Sequence, residues 1–195
     1  MKKVILIGGS PMVGKSTASV KLASKLLYPC IPTDDIGTVF KTISGFDPMK
    51  GLLYSDYYAN TEKEQLIDDM IQYHKKYEAA IFNLIAAHST EWSSPLIMEG
   101  WALYPNQVNG IKDENVFSVC LIAADGLLKK RVIMNKGFYQ NAKEPEKVIE
   151  NYLYRSEWHN KKIFDECKTG NYNYIIVKEE TSTDVIINTI LDMLT

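Results

Sequence analysis

Arginine is nearly missing from this chain of 195 residues: of its 22 basic side chains only Arg131 and Arg155 are arginine. Cysteine is also scarce. Cys30, Cys120 and Cys167 lie far apart in apolar or helix-like surroundings, with the spacing of neither a disulfide framework nor a zinc site, and are read as buried, reduced thiols. His74, His88 and His159 stand singly on helix-like segments without metal-ligand partners, and are assigned to packing or to the surface. There is no excess of positive charge; a net charge of -2 argues against a basic field that would hold nucleic acid or an anionic membrane. Long apolar runs are absent too. The opening "MKKVILIGGS" has four apolar residues before glycine, too few for a signal-peptide core or a bilayer span. A cytoplasmic protein with a small-molecule partner is expected, as a monomer or a homodimer.

What the chain does have is apolar and aromatic content, 46% and 11%, enough for one well-buried core over residues 1–195. Val4 to Ile7 reads as a buried strand ended by glycine, and Lys15 to Leu27 as a helix. A second strand around Cys30-Ile31 precedes a helix over Ile36 to Ile43. Residues 44–61 read as an aromatic, turn-rich insertion, followed by a long amphipathic helix from Glu62 to His88. "SSPLIMEG", "VFSVCLIAA" and "YNYIIVK" give three more strands. Helices are expected over Gly126 to Asn135, Glu146 to Lys168 and Asp184 to Leu194. Alternating strands and helices imply right-handed crossovers and a parallel sheet covered on both faces, with ligands at the carboxyl ends of the strands.

The residues with chemistry follow the strands. Gly9, then four residues, then Gly14-Lys15-Ser16 satisfies G-x-x-x-x-G-K-[ST] between a strand and a helix. A polyphosphate needs successive backbone N–H groups turned inward around it, and glycines allow that path. The loop Gly9, Ser10, Pro11, Met12, Val13, Gly14, Lys15, Ser16 and Thr17 is therefore assigned to a nucleoside triphosphate. Lys15 would reach the β- and γ-phosphates, Ser16 would ligate Mg²⁺, and Thr17 would contact the α-phosphate. A GTPase is disfavoured, because "MNKGF" has Phe138 where the base-reading aspartate of N-K-x-D belongs.

The third strand ends at Glu99, placed like an acid that holds Mg²⁺ or its water. The second ends at Asp34 and Asp35, either of which would orient an attacking hydroxyl, while Thr33 or Asp34 could instead cap the next helix. Asp34 is also a candidate metal ligand. Arg131 and Arg155, between strands four and five, fall in residues 126–168, where a lid and its flanking helices would close over the phosphates. Tyr54, Tyr57 and Tyr58 of the insertion, with Trp101, Tyr104 and Asn106, would line an acceptor site or pack the insertion on the core.

On "GGSPMVGKST", "PTDDIGTVF", "LIMEGWALYP" and "KKRVIMNKGFY", the sequence resembles nucleoside-monophosphate-kinase-like P-loop proteins, and more narrowly 2-phosphoglycerate-kinase-like and zeta-toxin-like kinases. The resemblance implies a three-layer α/β fold with a five-stranded parallel sheet in the order 2-3-1-4-5, and transfer of a phosphoryl group from ATP with Mg²⁺ to a small acceptor. Many relatives carry an arginine three residues after the strand-two aspartate. Here that position is Gly37, which weighs against a phosphorylated acceptor unless Lys41 substitutes. A toxin or resistance-type kinase acting on an activated sugar or antibiotic, and a non-catalytic ATP sensor, are the alternatives.

Overall fold

A strand covered by helices on both faces must be apolar on both, and Val4 to Ile7 are all but inaccessible to solvent. In the computed structural model, which describes residues 2–92 and 94–194, they open β1 (Val4–Gly9), and α1 (Lys15–Leu26) follows the glycine-rich turn. The chain continues through β2 (Cys30–Pro32), α2 (Thr33–Ser44), α3 (Tyr54–Asn60), α4 (Lys63–Ala86), β3 (Leu96–Gly100) and α5 (Pro105–Val108). It ends with β4 (Val116–Ala123), α6 (Leu127–Met134), α7 (Pro145–Gly170), β5 (Tyr174–Val177) and α8 (Thr183–Leu194). Every strand pair is parallel, in the order β2-β3-β1-β4-β5. The expected three-layer P-loop fold is the observed one. Ser93, the first residue of the expected third strand, lies outside the described residues, as do Met1 and Thr195.

Alternation along β1 divides the core. Ile5 and Ile7 face α1 and α8, packing with Leu22, Ile187 and Ile190, whereas Val4 and Leu6 face α4, with Tyr77, Ile81 and Ile85. Register then fixes the site: Ile7 pairs with Glu99 and Gly9 with Leu121, so the glycine-rich turn and the strand-three acid emerge at one sheet edge. No helix among the described residues is long and apolar enough to cross a membrane.

Local readings differ from the structure in three places. Helix α2 begins at Thr33 rather than Ile36, with Pro32 as its N-cap in extended conformation, so neither Thr33 nor Asp34 caps it and both aspartates lie in its first turn. The insertion contains α3, whose Tyr57 and Tyr58 are buried beside Tyr152 of α7; tertiary burial overrides its turn-rich composition. The third concerns the expected lid. Helix α7 is a core element with Val148, Arg155, His159, Ile163 and Cys167 buried, and the stretch between α6 and α7 is mostly exposed but anchored on the core by Phe138 and Tyr139. Cys120 and Cys167 are buried and Cys30 is half-buried, all as free thiols.

The entry to α2 is held by a close approach. A Cβ added at Gly100 would lie 1.7 Å from Thr33 Oγ1 and 2.7 Å from Thr33 Cβ, so only glycine lets β3 and α2 meet here. Gly100→Ala is expected to destabilise the protein by about 1–3 kcal/mol through this overpacking, read as a lower denaturation midpoint in urea with unchanged m-value.

Candidate active site

The loop after β1 is built on a backbone that ordinary residues resist. Gly9 has φ +138°, and a Cβ there would meet the Leu121 carbonyl oxygen at 2.4 Å. Met12, at φ 66°, sits in the left-handed region without being glycine. Its carbonyl is captured by Arg131, whose Nη1 donates to it at 2.8 Å from α6. Lys15 opens α1 and curls back so that Nζ donates to the Ser10 carbonyl at 2.9 Å. Burial pushes the Lys15 pKa down, although Glu99 and Asp34 pull it up, so the loop holds a poorly solvated cation.

Ser16 Oγ donates to Glu99 Oε1 at 2.8 Å, and Glu99 is 5% exposed. A hydroxyl and a carboxylate are hard oxygen donors, and Mg²⁺ needs few protein ligands because it keeps waters and phosphate oxygens. The pair fits that ion. Among the described residues no cluster of three His, Cys, Asp or Glu side chains forms a fuller cage.

Beside this pair opens a cleft of about 390 Å³ lined by Lys15, Ser16, Asp34, Glu99, Trp101 and Arg155 together with a wall of tyrosines. The structure separates the two aspartates. Asp34 lines the cleft and its Oδ1 accepts a hydrogen bond from Trp101 Nε1 at 2.7 Å, whereas Asp35 is exposed and outside the lining. Lys41 does not stand in for the arginine that Gly37 lacks, being paired with Asp47 at 2.9 Å. The room is taken as well: a Cβ at Gly37 would lie 3.0 Å from the Tyr73 hydroxyl and 3.3 Å from the Tyr77 ring. Tyr54, Tyr57, Tyr58 and Trp101 line the cleft, but Tyr104 and Asn106 line a separate groove between α4 and α7.

The two arginines stand on opposite sides of the phosphate loop. Arg131 lines, with Thr17, Thr181 and Thr183, a groove of about 400 Å³ along the loop's outer face, suited to the rest of a nucleotide. Arg155 is buried at the wall of the cleft beside Asp34, its guanidinium carbon 4.4 Å from the Trp101 ring centre.

Sequence reasoning missed His159. Its Nε2 lies 2.8 Å from the Trp101 carbonyl and its Nδ1 3.1 Å from Ser10 Oγ, which also donates to the Ser156 carbonyl at 2.8 Å. A carbonyl only accepts, so Nε2 carries the proton, and the single Ser10 hydroxyl proton is shared between the Ser156 carbonyl and the Nδ1 lone pair. Burial, with His74 and Lys15 nearby, holds the ring neutral. His159 thus ties the phosphate loop to the segment bearing Trp101, and through Trp101 to Asp34. The available signal was its position one turn beyond Arg155 on the buried stripe of α7. His74 backs the same indole edge-on at 4.5 Å between centres and meets the Tyr104 hydroxyl at 3.1 Å.

This fold is found in solved structures that include small-molecule kinases. No protein-family model and no curated protein matches the sequence. Solved structures do share the fold. An uncharacterized protein from Eubacterium ventriosum ATCC 27560 aligns over 100% of this chain and 98% of its own, with a TM-score of 0.57 and 15% identity. A gluconokinase from Sinorhizobium meliloti 1021 aligns over 100% and 93%, with a TM-score of 0.55 and 17% identity. A shikimate kinase from Acinetobacter baumannii in complex with shikimate does so over 100% and 93%, with a TM-score of 0.54 and 12% identity.

Two measurements test the electrostatics. Burial, with Arg155 nearby, holds His74 down to about 3 from its ordinary 6.5, and His159 is also depressed. Between those values the unfolded chain binds more protons than the folded one, so stability falls as the pH drops below 6.5, by up to about 1.4 kcal/mol per unit for each histidine. Urea unfolding should show His74→Gln losing less stability than wild type from neutral to acid pH. Lys15→Met, which removes the desolvated cation, is expected to raise the melting temperature of the ligand-free protein while abolishing calorimetric binding of ADP·Mg²⁺.

Proposed function

We propose that this protein is an ATP-dependent phosphotransferase that moves the γ-phosphoryl group to a hydroxyl of a small-molecule acceptor. The observation that carries the reading is one cleft that gathers Lys15, the Ser16–Glu99 pair and Asp34, the last oriented by Trp101. When bound, Mg²⁺ on Ser16 and Glu99 would screen the phosphate charge.

In this reading the loop N–H groups and Lys15 hold the phosphates, and Asp34 accepts the proton of the attacking hydroxyl. The acceptor oxygen forms a bond to the γ-phosphorus as the bond to the bridging oxygen breaks, and ADP leaves. Arg131 keeps the loop in shape rather than entering the acceptor cleft. Asp34 is thus assigned to the hydroxyl rather than to the metal. The filled space at Gly37 weighs against acceptor binding of the 2-phosphoglycerate-kinase type, and the soluble, small-molecule, cytoplasmic setting completes the proposal.

The test is ADP release from ATP·Mg²⁺ with a panel of hydroxyl acceptors, Lys15→Ala serving as blank. Asp34→Asn should lower acceptor-dependent kcat by about 10²–10⁴-fold, with calorimetric ADP·Mg²⁺ affinity unchanged, whereas Asp35→Asn should leave both unchanged. Acceptor-dependent release that survives Asp34→Asn would remove Asp34 from the mechanism.

A further inference from the structure

The acceptor end of the cleft is poor in polar groups, and the few present are specific. Arg155 is 6% exposed, and among the described residues no carboxylate pairs with it. Among the described residues its Nε has no hydrogen-bond partner, and the guanidinium's hydrogen-bonding neighbour is the Tyr54 hydroxyl. Three rings surround the guanidinium carbon instead, Trp101 at 4.4 Å, Tyr58 at 4.9 Å and Tyr152 at 5.3 Å. Such rings stabilise a cation without neutralising it. A buried charge left without a counter-ion, at the wall of a cleft, calls for an anion from outside the chain.

The same geometry excludes the opposite charge. An aromatic cage of this kind would take a quaternary ammonium ligand, but here Arg155 already fills it, and a second cation would meet like charge. Around Arg155 the wall is largely aromatic. Tyr57 gives its hydroxyl proton to Asp69 at 2.8 Å and Tyr54 points its own at Tyr58 at 3.4 Å, so these two phenol protons are taken up within the protein. Met49 and Met70 add to that surface. A polyhydroxylated acceptor would leave several hydroxyls against apolar rings, each at a desolvation cost.

Arg155 and Asp34 are both anchored on one indole, the guanidinium over the Trp101 ring and the carboxylate on its Nε1. That indole spaces an anion-binding group and a hydroxyl-orienting group about one ring apart. We propose that the acceptor is a small hydroxy acid built on a flat, largely apolar ring, its single anionic group on Arg155 and its hydroxyl on Asp34. The proposal rests on the phosphotransfer reading only for the role of the hydroxyl end.

The test is calorimetry on the full chain with ADP·Mg²⁺ present, using probes that vary one feature each. para-Hydroxymethylbenzoate has ring, anion and hydroxyl; para-hydroxymethylbenzamide lacks the anion; γ-hydroxybutyrate lacks the ring; shikimate and gluconate are polyhydroxylated acids. The benzoate is expected to bind at least about tenfold more tightly than each of the other four, the scale of one charge-assisted hydrogen bond. Arg155→Gln should bring the benzoate to the level of the amide and leave the amide unchanged, with ADP·Mg²⁺ binding retained as the check on folding.

Equal binding of benzoate and amide by wild type, tighter binding of shikimate, gluconate or γ-hydroxybutyrate, or no binding of any probe would overturn the proposal without recourse to a variant. Parallel assays of ADP release separate the two readings. Lys15-dependent release stimulated by shikimate or gluconate but not by the benzoate sinks the acceptor assignment and keeps phosphotransfer. Arg155-dependent benzoate binding in a protein that does not bind ATP does the reverse.

Discussion

A buried lysine shapes this site. Lys15 is buried away from water, and its ammonium is held by the Ser10 carbonyl in a loop whose turn runs through strained backbone at Met12. An ammonium in that position destabilises the folded chain by itself, so the surroundings must be rigid enough to keep it there. The structure meets this need from both sides. Arg131 secures the Met12 carbonyl from α6, and His159 secures the Ser10 hydroxyl from α7. The first helix and the central strand then need only be packed, which the divided apolar faces of β1 accomplish.

Rigidity on one side of the loop reaches the other through few atoms. His159 links Ser10 to the Trp101 carbonyl, and the Trp101 indole links onward to Asp34. Asp34 is therefore positioned relative to the loop after β1 by side chains from β3's end and α7 rather than by its own helix alone. Asp34 is exposed and would otherwise sample several rotamers; one indole N–H narrows the choice.

Much of this was legible in the sequence, for identifiable reasons. The phosphate loop was readable because its chemistry is local: glycines, a lysine and a serine at fixed spacing between a strand and a helix. The sheet order followed from the resemblance, and Glu99 from its place after an apolar strand. What could not be read depends on contacts distant in sequence. Arg155 looked like a lid residue because strand-to-strand position says nothing about which face of a helix is buried. His159 looked solitary because its partners, Ser10 and Trp101, lie 149 and 58 residues away. The helix α3 was hidden by a composition typical of turns, and only its packing on α7 makes it a helix.

The exposed stretch between α6 and α7 is not independent of the acceptor wall. Phe138 rests on Tyr152 at 4.8 Å and meets Tyr54 edge-on at 5.8 Å, so a segment that follows the Arg131 groove shares a ring stack with the wall of the cleft. By thermodynamic reciprocity, a nucleotide that shifts Phe138 changes acceptor affinity by the same factor by which the acceptor changes nucleotide affinity. Affinities measured for either ligand alone would then describe a different wall from the one the pair encounters.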